Sequence, residues 1–188
     1  MDPRPDQELV ASYRKGDDDA LSVLIRRHTD AVYRFLVRMV GDASTAEDLV
    51  QDTFLKAWKH LARFDASKPF KTWIFSIARN AAIDRLRKKD PVAFTRLERD
   101  DVPDMSEDIA DDRPLPDELL EREDIARELE ESLKTIGPKS RSVVLMHETE
   151  GMTFQEIADA AGEPLNTVKS RYRRAIATLQ SKLTGRPA

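Results

Sequence analysis

Apolar residues recur every three or four positions through most of this chain, and the repeat stops where glycine or proline intervenes. That period predicts helices. Residues 6–15 form a short one with Leu9, Val10 and Tyr13 inward, ended by Gly16. Over 20–40 the inward positions are Leu21, Leu24, Ile25, Val32, Phe35, Leu36 and Met39, with Arg26, Arg27, Arg34 and Arg38 off the stripe. Gly41 breaks this helix, and Asp42 or Ser44 caps the next, over 44–64. Its inner stripe is Ala46, Val50, Thr53, Ala57 and Leu61, widened by Leu49, Phe54 and Trp58. After a loop at 65–71 that contains Pro69, residues 72–89 turn Trp73, Ile74, Ile77, Ala78, Ala81 and Leu86 inward. The period returns at 117–135 through Leu119, Leu120, Ile125, Leu129 and Leu133, until Gly137 and Pro138 stop it. Residues 140–150 make a further helix through Val143, Val144 and Met146.

Between these blocks, residues 90–116 hold Pro91, Pro103, Pro114 and Pro116 among many carboxylates and read as a flexible linker. No stretch alternates apolar and polar residues long enough for a strand. The expected fold is therefore all-α: two small helical domains, 1–89 and 117–188, joined by a flexible acidic linker at 90–116.

The last block, 151–179, predicts two helices around a tight turn. Phe154, Ile157, Ala158 and Ala161 share one face of the first, and Gly162 ends it because glycine tolerates the left-handed conformation that closes a helix. Pro164 suits the first turn of the second, which buries Val168, Tyr172, Ile176 and Leu179. Its other face carries Lys169, Ser170, Arg171, Arg173 and Arg174. Small Ala158, turn-forming Gly162 and buried Val168 are what a helix-turn-helix needs, and the basic face then lies in a DNA major groove. An αα-hairpin with a solvated basic face is the alternative.

Charge changes this picture only when it is divided along the chain. The net charge is −4, but residues 1–89 hold 17 Lys and Arg against 13 Asp and Glu, and residues 132–188 hold 9 against 5. Residues 90–131 hold 5 against 17. Two mildly basic modules flank an acidic segment, a distribution suited to two nucleic-acid-facing units. Aromatic Phe64, Phe70 and Trp73 beside Lys68, Lys71, Arg79 and Asn80 are what a single-strand binder uses: rings stack on bases, amides read edges and cations hold phosphates. The cluster Arg85, Arg87, Lys88 and Lys89 at the end of the same helix has an equal alternative account, as cations favourable at a helix C-terminus.

Chemistry of other kinds is not indicated. The chain has no cysteine, compatible with a reducing cytoplasm, and no apolar run long enough to span a membrane. No P-loop, dinucleotide fingerprint, nucleophile elbow or paired-histidine metal motif occurs. Asp17, Asp18 and Asp19 stand at a helix start, where capping and the helix dipole account for them without a metal. His147, with Glu148 and Glu150, reads as an exposed helix end. Neither an enzyme, a cofactor nor a metal site is expected.

Three stretches in this order, AEDLVQDTFLKAWKHLARFD, KPFKTWIFSIARNAAIDRLRKK and GMTFQEIADAAGEPLNTVKSRYRRA, resemble the extracytoplasmic function class of bacterial RNA polymerase sigma factors. The resemblance implies a promoter-recognition subunit of core RNA polymerase, held in check by an anti-sigma factor. It implies polymerase contacts at Asp48, Gln51, Asp52 and Lys56. It implies capture of the melted downstream (minus-10) element by Phe64, Lys68, Phe70, Lys71, Trp73, Arg79 and Asn80, and reading of the upstream (minus-35) duplex by Asn166, Thr167, Lys169, Ser170, Arg171, Arg173 and Arg174. Asn166 stands where the family often has glycine, and Arg173 where it often has an aromatic or histidine, so the resemblance carries over the fold but not an upstream sequence preference.

Overall fold

The computed structural model describes residues 2–100 and 131–184. The helices are α1 (Asp6–Arg14), α2 (Asp18–Val40), α3 (Ala43–His60), α4 (Phe70–Lys89), α5 (Pro91–Asp100), α6 (Pro138–Glu148), α7 (Phe154–Ala161) and α8 (Leu165–Thr184), with a 3-10 turn at Leu61–Arg63. No strand occurs among the described residues. Of the helix expected at 117–135, residues 117–130 lie outside the described residues, and 131–133 are helical. The same holds for 101–116 of the expected linker. The chain forms two compact units, one built largely from residues 1–85 and the other largely from 86–188.

One boundary is corrected. Residues 91–100, expected as the start of the linker, are helix α5. Asp90 caps it by accepting the Ala93 N–H at 2.8 Å, and Pro91 fills the first helical position, where a missing N–H leaves nothing unpaired. The inner side of α5 turns to α6: Glu98 accepts the backbone N–H of Lys139 at 3.0 Å, and the Lys139 ammonium lies 3.4 Å from the same carboxylate. Gly137, the N-cap of α6, supplies no side-chain acceptor.

In the N-terminal unit α1 packs on α2 and α2 on α3. Asp17 caps α2 through the Ala20 N–H, and Asp42 caps α3 through the Thr45 N–H. Between them Gly41 takes the left-handed conformation, φ 72°, that closes α2. The core stripe of α2 is buried as expected at Leu24, Val32, Phe35, Leu36 and Met39, and the Phe35 ring meets the edge of Phe75 from α4 at 5.3 Å. His28, also buried, donates from Nε2 to Asp6 at 2.7 Å, and Arg27 donates to the other oxygen of that carboxylate at 2.6 Å. One acidic side chain thus holds α1 against α2.

Burial pushes the Asp6 carboxyl up, but the hydrogen bonds from His28 and Arg27 outweigh it and hold the group below its ordinary value of 3.8. A carboxyl whose folded pKa is depressed stabilises the fold above its unfolded pKa, and that contribution is lost as pH falls through the folded one. Asp6→Asn is therefore expected to lower stability near pH 7 by about 1–2 kcal/mol, allowing for solvent screening. It should also flatten the acid limb below about pH 4. Urea titrations at neutral and acid pH check both; a variant as acid-sensitive as wild type would contradict this.

In the C-terminal unit α6 packs on α8. Ser140 through Met146 are buried on every side of α6. Arg141 is among them: desolvation pulls its pKa down to about 10, and it donates to the carbonyls of Lys134 and Ile136 in the preceding turn. His147, expected at an exposed helix end, is instead half-buried and stacks on Phe154 at 4.3 Å, with the edge of Tyr172 at 5.0 Å. Its Nδ1–H donates to the Met152 carbonyl at 2.9 Å, and the Tyr172 hydroxyl donates to Glu148. The reason is tertiary: α7 and α8 bring their own rings to the end of α6.

Candidate nucleic-acid interfaces and their relatives

Helix α7 starts with a capping box. The Glu156 N–H donates to Thr153 Oγ1 at 3.2 Å while the Glu156 carboxylate accepts the Thr153 N–H at 2.8 Å. Gly162, φ 65°, makes the corner into α8. Ala158 of α7 and Val168 of α8 are both buried. This is the expected helix-turn-helix.

The expected basic face of α8 is not uniform. Asn166 and Lys169 are exposed, Thr167, Ser170, Arg173 and Arg174 are half-buried, and Ala177 continues the exposed stripe. Arg174 Nε donates back to the Ser170 carbonyl at 3.4 Å. Arg171 departs from the rest: it is buried, and its Nε donates to Glu163 in the turn at 3.0 Å. That ion pair ties the turn to the second helix, so Arg171 holds the motif together and presents no free cation outward. Eight positions separate the partners across a turn, a spacing that no helical period anticipates.

In the N-terminal unit the structure gathers Phe64, Phe70 and Trp73 into one cluster. Phe64 lies 4.7 Å from Trp73 and 5.8 Å from Phe70, and Phe70 lies 5.6 Å from Trp73. His28, which the sequence did not mark, adds a fourth ring 5.2 Å from Phe70. Phe64 and Phe70 are buried, whereas Trp73 is half-exposed. The equal standing given to the three rings is therefore corrected: Trp73 presents surface, and the phenylalanines back it. Lys68 and Asn80 are exposed and Lys71 is half-buried. Arg79, at 4% exposure, is buried, with Nη1 3.4 Å from Asn80 Oδ1. Helix α4 is covered on most sides, since Thr72, Ile74, Phe75, Ala78, Ala82 and Ile83 are buried too.

Helix α3 turns Asp48, Gln51, Asp52 and Lys56 outward on successive turns, all exposed. Leu55 at 45% and Trp58 at 49% exposure share that side. Trp58, expected on the inner stripe, is corrected to the surface, where its indole N–H donates to the Tyr13 hydroxyl at 2.9 Å. An indole donor needs a polar partner, and the rim of the helix offers one that the core does not.

Known families match both units. The description Sigma-70 region 2 fits residues 24–92, and Sigma-70, region 4 fits residues 126–179. The ECF RNA polymerase sigma factor SigW of Bacillus subtilis is 28% identical over 179 residues, 94% of this chain and 96% of that one. RNA polymerase sigma factor NccH of Alcaligenes xylosoxydans xylosoxydans is 32% identical over 183 residues, 97% of this chain and 96% of its own. The chain belongs to the extracytoplasmic function class of RNA polymerase sigma factors. As a sigma factor it joins core RNA polymerase and directs initiation at promoter DNA. The solved structure of CnrH, in complex with the cytosolic domain of CnrY, matches this sigma factor with a TM-score of 0.71 at 27% identity, covering 96% of this chain and 97% of that one. A second structure, the sigma factor RpoE with the anti-sigma factor NepR from Bartonella quintana, shares the fold at a TM-score of 0.61 and 24% identity, over 86% of this chain and 93% of that one. Among the described residues no helix is long and apolar enough to cross a membrane.

Proposed function

We propose a division of labour among three surfaces of this sigma factor. The face of α8 that bears exposed Asn166 and Lys169 and half-buried Thr167, Ser170, Arg173 and Arg174 reads the upstream duplex. The side of the aromatic cluster bearing Trp73, with Lys68, Lys71 and Asn80, takes the melted downstream strand, while Phe64, Phe70 and Arg79 support it from within. The outward face of α3, with Asp48, Gln51, Asp52 and Lys56, docks on core polymerase. The observation that carries the assignment is the half-exposed Trp73 ring, backed by two buried phenylalanines, with exposed Lys68 in the loop before α4 and exposed Asn80 further along the same helix. A duplex reader has no use for such a ring, whereas an unpaired base stacks on it.

The domain assignment follows the same division: 1–89 engages polymerase and the downstream element, and 117–188 the upstream element, with α5 as an ordered start to the connection. The sigma factor makes and breaks no bonds of its own and acts in the cytoplasm beside polymerase. Control by an anti-sigma partner belongs to the same reading, and the solved structure of CnrH likewise holds a second protein, the cytosolic domain of CnrY. Reconstitution tests the whole reading: with core polymerase freed of other sigma factors, the chain is expected to start transcription at specific promoters. Tight binding to a palindromic site without polymerase, and no binding to polymerase, would instead identify a stand-alone helix-turn-helix regulator.

Two substitutions separate contact from support within α8. Lys169→Ala is expected to weaken upstream duplex binding and reduce the slope of log affinity against log salt by about one, because one phosphate neutralisation is lost. Arg171→Ala is expected to leave that slope unchanged and to lower the thermal midpoint, because Glu163 loses its partner. Equal salt slopes for both variants would overturn the distinction.

A further inference from the structure

Helix α1 has no place in the three surfaces just described, yet two of its side chains reach the aromatic cluster. Arg14, in its last turn, donates through Nη2 to the carbonyls of Leu61 and Phe64. Those two carbonyls bracket the 3-10 turn by which the chain leaves α3, and Phe64 then turns extended, ψ 133°, into the loop before α4. Asp6, two turns earlier on α1, fixes the buried His28 ring, which leans on Phe70. Phe64 and Phe70 are the two rings against which Trp73 rests. We propose that α1 positions the strand-capturing cluster, with Arg14 as the positioning residue that sets Phe64 and, through it, the plane of Trp73. The inference rests on the assignment of Trp73 to the melted strand.

The physical argument is one of leverage. Without Arg14 the Leu61 and Phe64 carbonyls turn to water, which imposes no direction, and the entry to the 65–69 loop loses its tie to α1. A stacking platform acts only when its plane is fixed before the base arrives, so a ring that must be ordered on binding has a lower affinity for the same contacts. Lysine at position 14 keeps the charge, but its ammonium ends one bond nearer the backbone than the Arg14 Nη2 that reaches both carbonyls.

The test uses the full chain bound to core polymerase. Its probe is a fluorescent single-stranded DNA enriched from a random-sequence pool on the wild-type holoenzyme. Arg14→Gln is expected to weaken capture of this strand about tenfold, the loss of a charged hydrogen bond. Arg14→Lys should fall between it and wild type. Affinity for core polymerase and for upstream duplex should not change, and a general loss of folding would lower both. Trp73→Ala, run alongside, separates the two claims. If Trp73→Ala loses capture and Arg14→Gln keeps it, α1 has no positioning role and the inference is overturned alone. If Trp73→Ala keeps capture, the assignment of the cluster is wrong and the inference falls with it. Should Arg14→Gln prove too unstable to assemble, Arg14→Lys decides: wild-type capture by that variant overturns the inference.

Discussion

Trp73→Ala is expected to lower the affinity of the holoenzyme for a melted promoter strand by about 1–3 kcal/mol, the value of one base stacked on an aromatic ring. That corresponds to a loss of roughly 5- to 150-fold. The ring is half-exposed and rests on Phe64 and Phe70, so its removal also uncovers part of those two rings, and the duplex control separates that packing loss from the lost stacking. Binding of closed upstream duplex should be unaffected, because that contact lies on α8. Equilibrium binding of single-stranded and duplex probes to the same holoenzyme measures both. Asn80→Ala is expected to act in the same direction through lost reading of a base edge, with a smaller effect on a strand of arbitrary sequence. Equal losses on single-stranded and duplex DNA would refute the assignment.

The second large effect concerns stability. Phe35 is fully buried and meets Phe75 edge to face across the α2–α4 contact. Phe35→Ala is expected to destabilise the N-terminal unit by about 3–5 kcal/mol, the lost transfer energy plus the cavity left behind. Both tryptophans of the chain, Trp58 and Trp73, lie within residues 1–85. Indole fluorescence therefore follows that unit, whereas far-ultraviolet circular dichroism follows both. In urea the fluorescence transition of the variant should move to lower concentration while a later dichroism transition remains. A single shifted transition by both probes would show that the two units unfold together.

How much of this the sequence made legible depends on the range of the interactions concerned. The stripe of α2 and the Ala158, Gly162 and Val168 signature of the helix-turn-helix are local patterns, and they were found where the period placed them. Helix α4 defeated the same reasoning. When neighbours cover a helix on most sides, the period of its apolar residues no longer says which polar residue points outward, so buried Arg79 and exposed Asn80 looked equivalent. The pairing of Arg171 with Glu163 crosses a turn and has no periodic signal. The start of α5 was legible in principle, as Asp90 followed by Pro91 is a helix-opening pair. The prolines and carboxylates of the longer segment masked it in a compositional reading. His28 was overlooked because a lone histidine on an apolar stripe declares neither its carboxylate partner nor the ring beside it.

Glu98 sets a practical limit on how this chain can be divided. It serves the N-terminus of α6 from 41 positions upstream, at a helix whose own N-cap is a glycine. A recombinant fragment begun at residue 117, where the sequence alone would place the cut, leaves that N–H to solvent, and so does one begun anywhere beyond Glu98. Fragments intended for binding work should open at Asp90, so that α5 folds with its own cap and brings the carboxylate along.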